Sequence, residues 1–218
     1  MNTHSSAPFC SLLDRLFAEA DAATSPDIRA FTSEERAALT TSKTQYLDLY
    51  AQLKDLWLPV SRETGELLYM LVRATGARTI VEFGTSFGIS TLFIAAALRD
   101  NGGGRVISSE FEASKIERAQ QNLEDAGLAD LVEIRAGDAM ETLRQDLPES
   151  IDLLLLDGAK ALYADIFELV APKLRTGALV LADDAEMCPE YLSLIRTTKD
   201  RYLSLPFAGD IELSVKLG

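Results

Sequence analysis

Apolar residues recur along this chain with two periods, and the places where the period changes mark its elements. Phe9, Leu12, Leu13, Leu16, Phe17 and Ala20 fall at helical spacing and predict an amphipathic first helix, which Pro26 breaks. Thr32-Ser33-Glu34-Glu35 has the form of a capping box. It opens a predicted helix to about Leu56, with Leu39, Tyr46, Leu49, Tyr50 and Leu53 at its apolar positions. Leu58-Pro59-Val60-Ser61 is a turn, and Ser61 is suited to cap a helix that ends at Gly76.

From residue 79 onward, short apolar runs alternate with helical patterns. Strands are predicted at Thr79–Phe83, Arg105–Ser109, Val132–Arg135, Ile151–Leu156 and Ala178–Ala182. The helices run from the turn after Gly84 through Leu98, from about Ala113 to Ala126, from about Ala161 to Leu174, and from Pro189 to about Lys199. Tyr202–Pro206 and Ile211–Lys216 flank Ala208-Gly209-Asp210 as a closing antiparallel hairpin. This alternation predicts an α/β fold, a doubly wound and mostly parallel seven-stranded sheet covered by helices on both faces. The two helices before Thr79 that the sheet does not need are extra; they predict packing, a dimer contact or a substrate lid.

Bulk properties narrow the partners. The 218 residues suffice for one sizeable domain, and 47% hydrophobic with 25% charged residues is ordinary for a globular chain. A net charge of -13 speaks against a broad nucleic-acid footprint or an anionic membrane surface. No uncharged apolar run approaches a membrane span, and MNTHSSAPFC lacks the basic and apolar regions of a signal peptide. Cys10 and Cys188 make no disulfide framework, which predicts a reducing cytoplasm. The single histidine, His4, leaves little room for histidine chemistry.

Chemistry gathers at the strand ends. Five successive strands end at Gly84, Glu110, Asp138, Asp157 and Asp183-Asp184. In an open parallel sheet ligands bind outside the carboxyl ends of the strands, so these acids predict one crevice. Each alone would serve as a helix cap. Glu110, 26 residues after Gly84, is placed to accept hydrogen bonds from ribose hydroxyls, as NAD or S-adenosylmethionine would offer. Gly84-x-x-x-Gly88 lacks the G-x-G-x-x-G spacing that seats a pyrophosphate. Glu82, an acid inside the first strand, suits a positively charged ligand, and a sulfonium with an ammonium group is one.

From about Leu58 onward the chain resembles the small cation-dependent class I O-methyltransferases, the catechol and caffeoyl-CoA O-methyltransferase group with its bacterial branch. The matching pieces are Pro59-Val60-Ser61 with Gly65, Val81-Glu82-Phe83-Gly84-x-x-x-Gly88-x-Ser90, Glu110 and Gly137-Asp138-Ala139. Asp157-x-x-Lys160-x-x-Tyr163, Asp183-Asp184 and Pro206-x-x-Gly209-Asp210 complete them. The resemblance implies a Rossmann-like methyltransferase domain at 58–218 behind a helical extension at 1–57. It implies an S-adenosylmethionine site lined by Val60, Glu82, Gly84, Ser86, Ser90, Glu110, Asp138, Ala139 and Asp157. Ser90 would hold the methionine carboxylate near a helix start. Lys160 would be the general base, its pKa lowered by nearby positive charge, and Asp157, Asp183 and Asp184 would hold Mg²⁺ or a similar divalent ion.

Two positions depart from the family pattern. Asp184 stands where relatives usually have Asn, and Gly158-Ala159 stands where they often have a bulkier residue, which would open the substrate side. The resemblance implies methyl transfer to a hydroxyl of a small phenolic or catechol-like acceptor, and commonly a homodimer. Trp57, Tyr163 and Phe207 are candidates to wall a flat substrate. The alternatives are a methyltransferase of hydroxylated tRNA uridine and a non-catalytic S-adenosylmethionine-binding protein. An NAD-dependent oxidoreductase is disfavoured by the glycine spacing.

Overall fold

A computed structural model describes residues 2–23, 32, 34, 41–52 and 54–218. In chain order its elements are α1 (Ala7–Ala22), α2 (Tyr46–Gln52), α3 (Arg62–Thr75), β1 (Thr79–Phe83), α4 (Ile89–Asp100), β2 (Arg105–Glu110), α5 (Ala113–Asp125) and β3 (Val132–Ala136). There follow α6 (Ala139–Thr142), β4 (Ile151–Leu156), α7 (Tyr163–Val170), β5 (Leu174–Ala182), α8 (Pro189–Thr197), β6 (Tyr202–Phe207) and β7 (Ile211–Lys216). The predicted capping box and much of the helix it opens lie outside the described residues. The described part of that helix, α2, ends at Gln52 rather than near Leu56.

The strands form one sheet in the order β3-β2-β1-β4-β5-β7-β6. β1 to β5 pair in parallel, and β7 runs antiparallel between β5 and β6. This is the doubly wound sheet with a closing hairpin that the alternation predicts. Winding reverses between β1 and β4, so the crevice opens beyond their carboxyl ends.

Successive residues of a strand point to opposite faces. Ile80, Leu153, Leu155 and Leu181 enter one core with α1, α3 and α4, while Val81, Phe83, Leu154, Leu156 and Val180 enter the other with α7 and α8. A strand between two helix layers is therefore mostly apolar, as β4 is apart from Asp152 near its start, whose carboxylate accepts from the Arg78 and Thr79 N–H groups and pairs with Arg175. Ile89 to Leu98 of α4 are all buried. At α3 the predicted cap is present: Ser61 Oγ accepts from the Thr64 N–H, and Gly76 closes the helix in the left-handed region. α1 joins the first core through Phe9, Leu12, Leu13 and Leu16, and Thr3 ties it to Asp100.

The helix predicted to reach Leu174 is shorter. A 3-10 turn at Lys160–Leu162 leads into α7, which ends at Val170, and β5 already begins at Leu174. Pro172 has no N–H to continue the helix, and its 3-10 turn at Ala171–Lys173 redirects the chain. Gly177, at φ 78°, sits inside β5, where the pairing with β4 is irregular. Among the described residues no helix is long and apolar enough to cross a membrane.

α3 and α4 approach closely because Gly65 has no side chain. A Cβ there would lie 2.3 Å from the ring of Phe93, which is fully buried. Gly65→Ala should therefore lose about 1–3 kcal/mol by overpacking, against the roughly 1 kcal/mol that alanine gains in helix propensity. Urea unfolding checks for this net loss of up to about 2 kcal/mol, and increased stability would contradict it.

Candidate functional site

Hydrogen bonding continues past the strand ends. The N–H of Thr85 donates to Ser109 O, that of Gly137 to Glu110 O, that of Asp157 to Phe83 O and that of Asp183 to Leu156 O, at 2.9–3.1 Å. These bonds hold the acids after β2, β4 and β5 in one row. They border a cavity of about 380 Å³. Gly84, Ser86, Glu110, Asp138, Ala139, Asp157, Lys160, Asp183 and Asp184 all line it.

Gly84 makes the close approach between β1 and β4 possible. Its φ is 102°, and a Cβ there would lie 2.3 Å from the carbonyl oxygen of Asp157. Ser86 follows at φ 47°, a conformation few non-glycine residues adopt. Glu110 fastens this turn: its Oε2 accepts from the Ser86 N–H at 2.8 Å. Its Oε1 accepts from the N–H groups of Phe111 and Glu112 at 2.9 and 3.0 Å. A carboxylate has about four acceptor sites, so Glu110 keeps capacity for a ligand hydroxyl.

Val60, Glu82 and Ser90 are not among the lining residues, contrary to the expectation from the sequence. Val60 is buried in the first core. Glu82 is completely buried, and its carboxyl accepts from the hydroxyls of Ser90, Thr91 and Ser108, each at 2.6 Å. Burial raises its pKa, with the three hydroxyls pulling the other way. Among the described residues, three hydroxyls and no positive group thus meet the acid inside β1. Ser90 donates to Glu82, so its hydroxyl is committed.

The acids after β4 and β5 surround a lysine. Lys160 Nζ lies 3.1 Å from Asp184 Oδ2 and 3.6 Å from Asp157 Oδ1. It also donates to Tyr163 Oη at 2.8 Å and to the carbonyl of Asp183 at 3.3 Å. Burial opposes its charge, yet the oxygens of Tyr163, Asp157 and Asp184 outweigh burial and hold the ammonium well above its usual range. That is opposite to the lowered value expected of a general base. Burial also pushes Asp157 well above the carboxylate range, with Lys160 opposing. The Asp183 carboxyl bonds to Asp157 and rises to about 6, burial being the first cause.

These carboxylates do not form a metal cage as they stand. Among the described residues no three His, Cys, Asp or Glu side chains are placed to hold an ion. The cation that Asp157 and Asp184 face is the ammonium of Lys160.

Several lining residues escaped the sequence analysis as site residues. Tyr46 and Tyr50 of α2 reach the cavity, and Tyr46 Oη donates to Asp138 Oδ2 at 2.6 Å. Their i, i+4 spacing was visible, but only as an apolar helix face. Lys115 and Asp210 also line the cavity. Lys115 packs its ammonium 5.3 Å from the Phe87 ring centroid, which Trp57 stacks against at 4.0 Å. Tyr163 is fully buried core, and neither Trp57 nor Phe207 lines the cavity. The bare Gly158 leaves room for Phe83, whose ring would lie 2.6 Å from a Cβ there, rather than for substrate alone.

Residues 81–185 match the family model described as a methyltransferase domain. A catechol O-methyltransferase of Niastella koreensis is 35% identical over 130 residues, covering 58% of this chain and 58% of that protein. One from Mycobacterium tuberculosis is 32% identical over 127 residues, covering 58% and 57%. The matched stretch thus spans less than two thirds of these relatives. The crystal structure of an O-methyltransferase from Bacillus cereus in complex with SAH superposes with a TM-score of 0.68 at 25% identity, over 87% of this chain and 99% of that one. Cofactor-bound Rv0187 from M. tuberculosis shares the fold, with a TM-score of 0.70 at 23% identity over 94% and 89%.

The raised Asp183 carboxyl has a consequence for stability. Between the unfolded value near 3.9 and its folded value of about 6, the native chain binds more protons than the unfolded one. This carboxyl therefore costs stability as pH rises through that window. Asp183→Asn removes the cost, so the variant should gain on the parent from about pH 4 to about pH 6 and then hold level. Thermal melts at fixed salt check the trend, and a difference that stays flat or shrinks across the window contradicts it.

Proposed function

We propose that this chain is a class I S-adenosylmethionine-dependent O-methyltransferase that methylates a hydroxyl of a small phenolic or catechol-like acceptor, a reading supported by the methyltransferase-domain match at residues 81–185 and by the catechol O-methyltransferases among its relatives. The observation that carries the proposal is the acid-lined cavity at the winding reversal, with Glu110 fastened to the Gly84 turn at its edge. S-adenosylmethionine, when bound, supplies an electrophilic methyl group on a sulfonium.

Glu110 would accept from the ribose hydroxyls, and Gly84, Ser86, Asp138, Ala139 and Asp157 would line the cofactor. Glu82 and Ser90 would brace the turn from behind. The surplus of carboxylates suits a ligand of positive charge. A phenol has a pKa near 10, so its oxyanion is costly at neutral pH. Lys160 would stabilise that oxyanion as a fixed ammonium while its proton passes to solvent. The lining residues would hold the cofactor with its methyl group facing the acceptor oxygen, so that oxygen–carbon bond formation would release the sulfur as a neutral thioether. Alignment of the reacting atoms by the cavity walls is worth up to roughly 7–11 kcal/mol.

Tyr46, Leu47 and Tyr50 support the reading of residues 1–57 as an extension that supplies a substrate lid, whereas α1 serves the core. A divalent ion at Asp157, Asp183 and Asp184 belongs to this proposal only as a competitor of Lys160, and no step is drawn through it. Loss of transfer in EDTA with recovery in Mg²⁺ would favour that ion. The exposed stripe of Leu203, Leu205 and Phe207 on β6 supports a homodimer, and two free cysteines support a reducing, cytoplasmic setting.

Calorimetry should detect S-adenosylmethionine binding by the intact chain. Glu110→Ala should weaken it by roughly 10- to 100-fold, the scale of hydrogen bonds to a charged group. An absence of binding, or a Glu110→Ala variant that binds equally well, would overturn the assignment. Binding without methyl transfer to any of a panel of catechols would favour the non-catalytic alternative or a larger acceptor.

A further inference from the structure

The side chain of Lys160 is only 10% exposed, yet its ammonium lacks no partner. Asp184, Asp157, Tyr163 Oη and the Asp183 carbonyl surround it at 2.8–3.6 Å. We propose that Lys160 is the built-in cation of this site, and that a divalent ion can take the same carboxylates only by displacing it.

The seat is constructed on three sides. Lys160 and Tyr163 are three residues apart across the 3-10 turn that starts α7, which puts both on one face. Tyr163 is fully buried, and Phe83 and Tyr191 meet its ring edge-on at 6.2 and 6.1 Å. Its hydroxyl accepts from Lys160 and donates to the Asp183 carbonyl at 2.8 Å, so the ammonium is steered toward the β5 end. Asp184 stands in the left-handed region, at φ 50°. That backbone turn ends β5 and brings a second carboxylate, beside that of Asp157, to the lysine. An Asn at this position would offer no charge to the ammonium, so the side chain that departs from the family pattern is the nearer of its two carboxylates.

A hard divalent ion binds carboxylate oxygens at close range and needs them to converge. Here Asp157 and Asp184 are separated by Lys160 instead. An ion and an ammonium at the same oxygens repel each other, which makes occupancy exclusive.

The probe is Mn²⁺, titrated into the metal-free protein without cofactor or acceptor, with free Mn²⁺ read by electron paramagnetic resonance. Lys160→Met should bind Mn²⁺ roughly tenfold or more tightly than the parent, the scale of removing a like charge within about 4–6 Å. Lys160→Arg should bind no more tightly than the parent. Tyr163→Phe alters no charge and keeps the ring, yet by freeing Lys160 from its seat it should also bind more tightly. Lys115→Met removes a charge from the same cavity away from these carboxylates and should leave the affinity unchanged. Equal affinity of parent and Lys160→Met would overturn the proposal. So would a gain in Lys160→Met that Lys115→Met matches, or one with no gain in Tyr163→Phe, since either would reduce the effect to net charge. Because no cofactor is present, this outcome is separate from whether the chain binds S-adenosylmethionine.

Discussion

Among the described residues, one cavity brings together seven carboxylate side chains and two ammonium groups, and this imbalance is the constraint on which the site depends. The sheet imposes it. Parallel strands that end side by side deliver their following residues to the same edge, and the bonds donated by Thr85, Gly137, Asp157 and Asp183, just beyond β1, β3, β4 and β5, keep those residues in register. Such a cluster is costly unless each acid finds a donor or a cation. Glu110 finds backbone N–H groups, Asp138 finds Tyr46 and the Met140 N–H, and Asp157 and Asp184 find Lys160.

The same constraint shapes the backbone. Gly84 lets the end of β1 press against the carbonyl of Asp157, and Ser86 and Asp184 take left-handed conformations on the cavity rim. Residues held in such sparsely populated regions persist where the surroundings over-determine them, as at ligand sites. Away from the rim, the two cores are ordinary alternations of Ile, Val and Leu packed beneath helices. The rigid layers thereby hold a polar edge that could not support itself.

Much of this architecture was legible in the sequence because its causes are local. β4 declares its burial on both faces by an unbroken apolar run from Leu153 to Leu156, Ser61 caps its own helix, and the strand-end acids recur at the same point of each unit. The start of β5 was missed because Pro172 and Gly177 are local signals with more than one meaning, and β-pairing with β4 decides between them. The partners of Glu82 were missed because Ser90, Thr91 and Ser108 meet it only after α4 and β2 have packed on β1. Tyr46 and Tyr50 read as one apolar face, and nothing local distinguishes a face on a core from one on a cavity. The state of Lys160 depends on four groups from two strand ends and a helix, which no spacing rule encodes.

Nuclear magnetic resonance with S-adenosylmethionine carrying a ¹³C-labelled methyl group tests the central claim most directly. Incubated with the protein and a catechol, the labelled signal should move from the sulfonium to an aryl methoxy position, at a rate that falls when Glu110 or Lys160 is replaced. A label that stays on sulfur across hydroxylated acceptors while the cofactor is bound, or that arrives on nitrogen or carbon, would contradict the account of this cavity as a site of oxygen methylation.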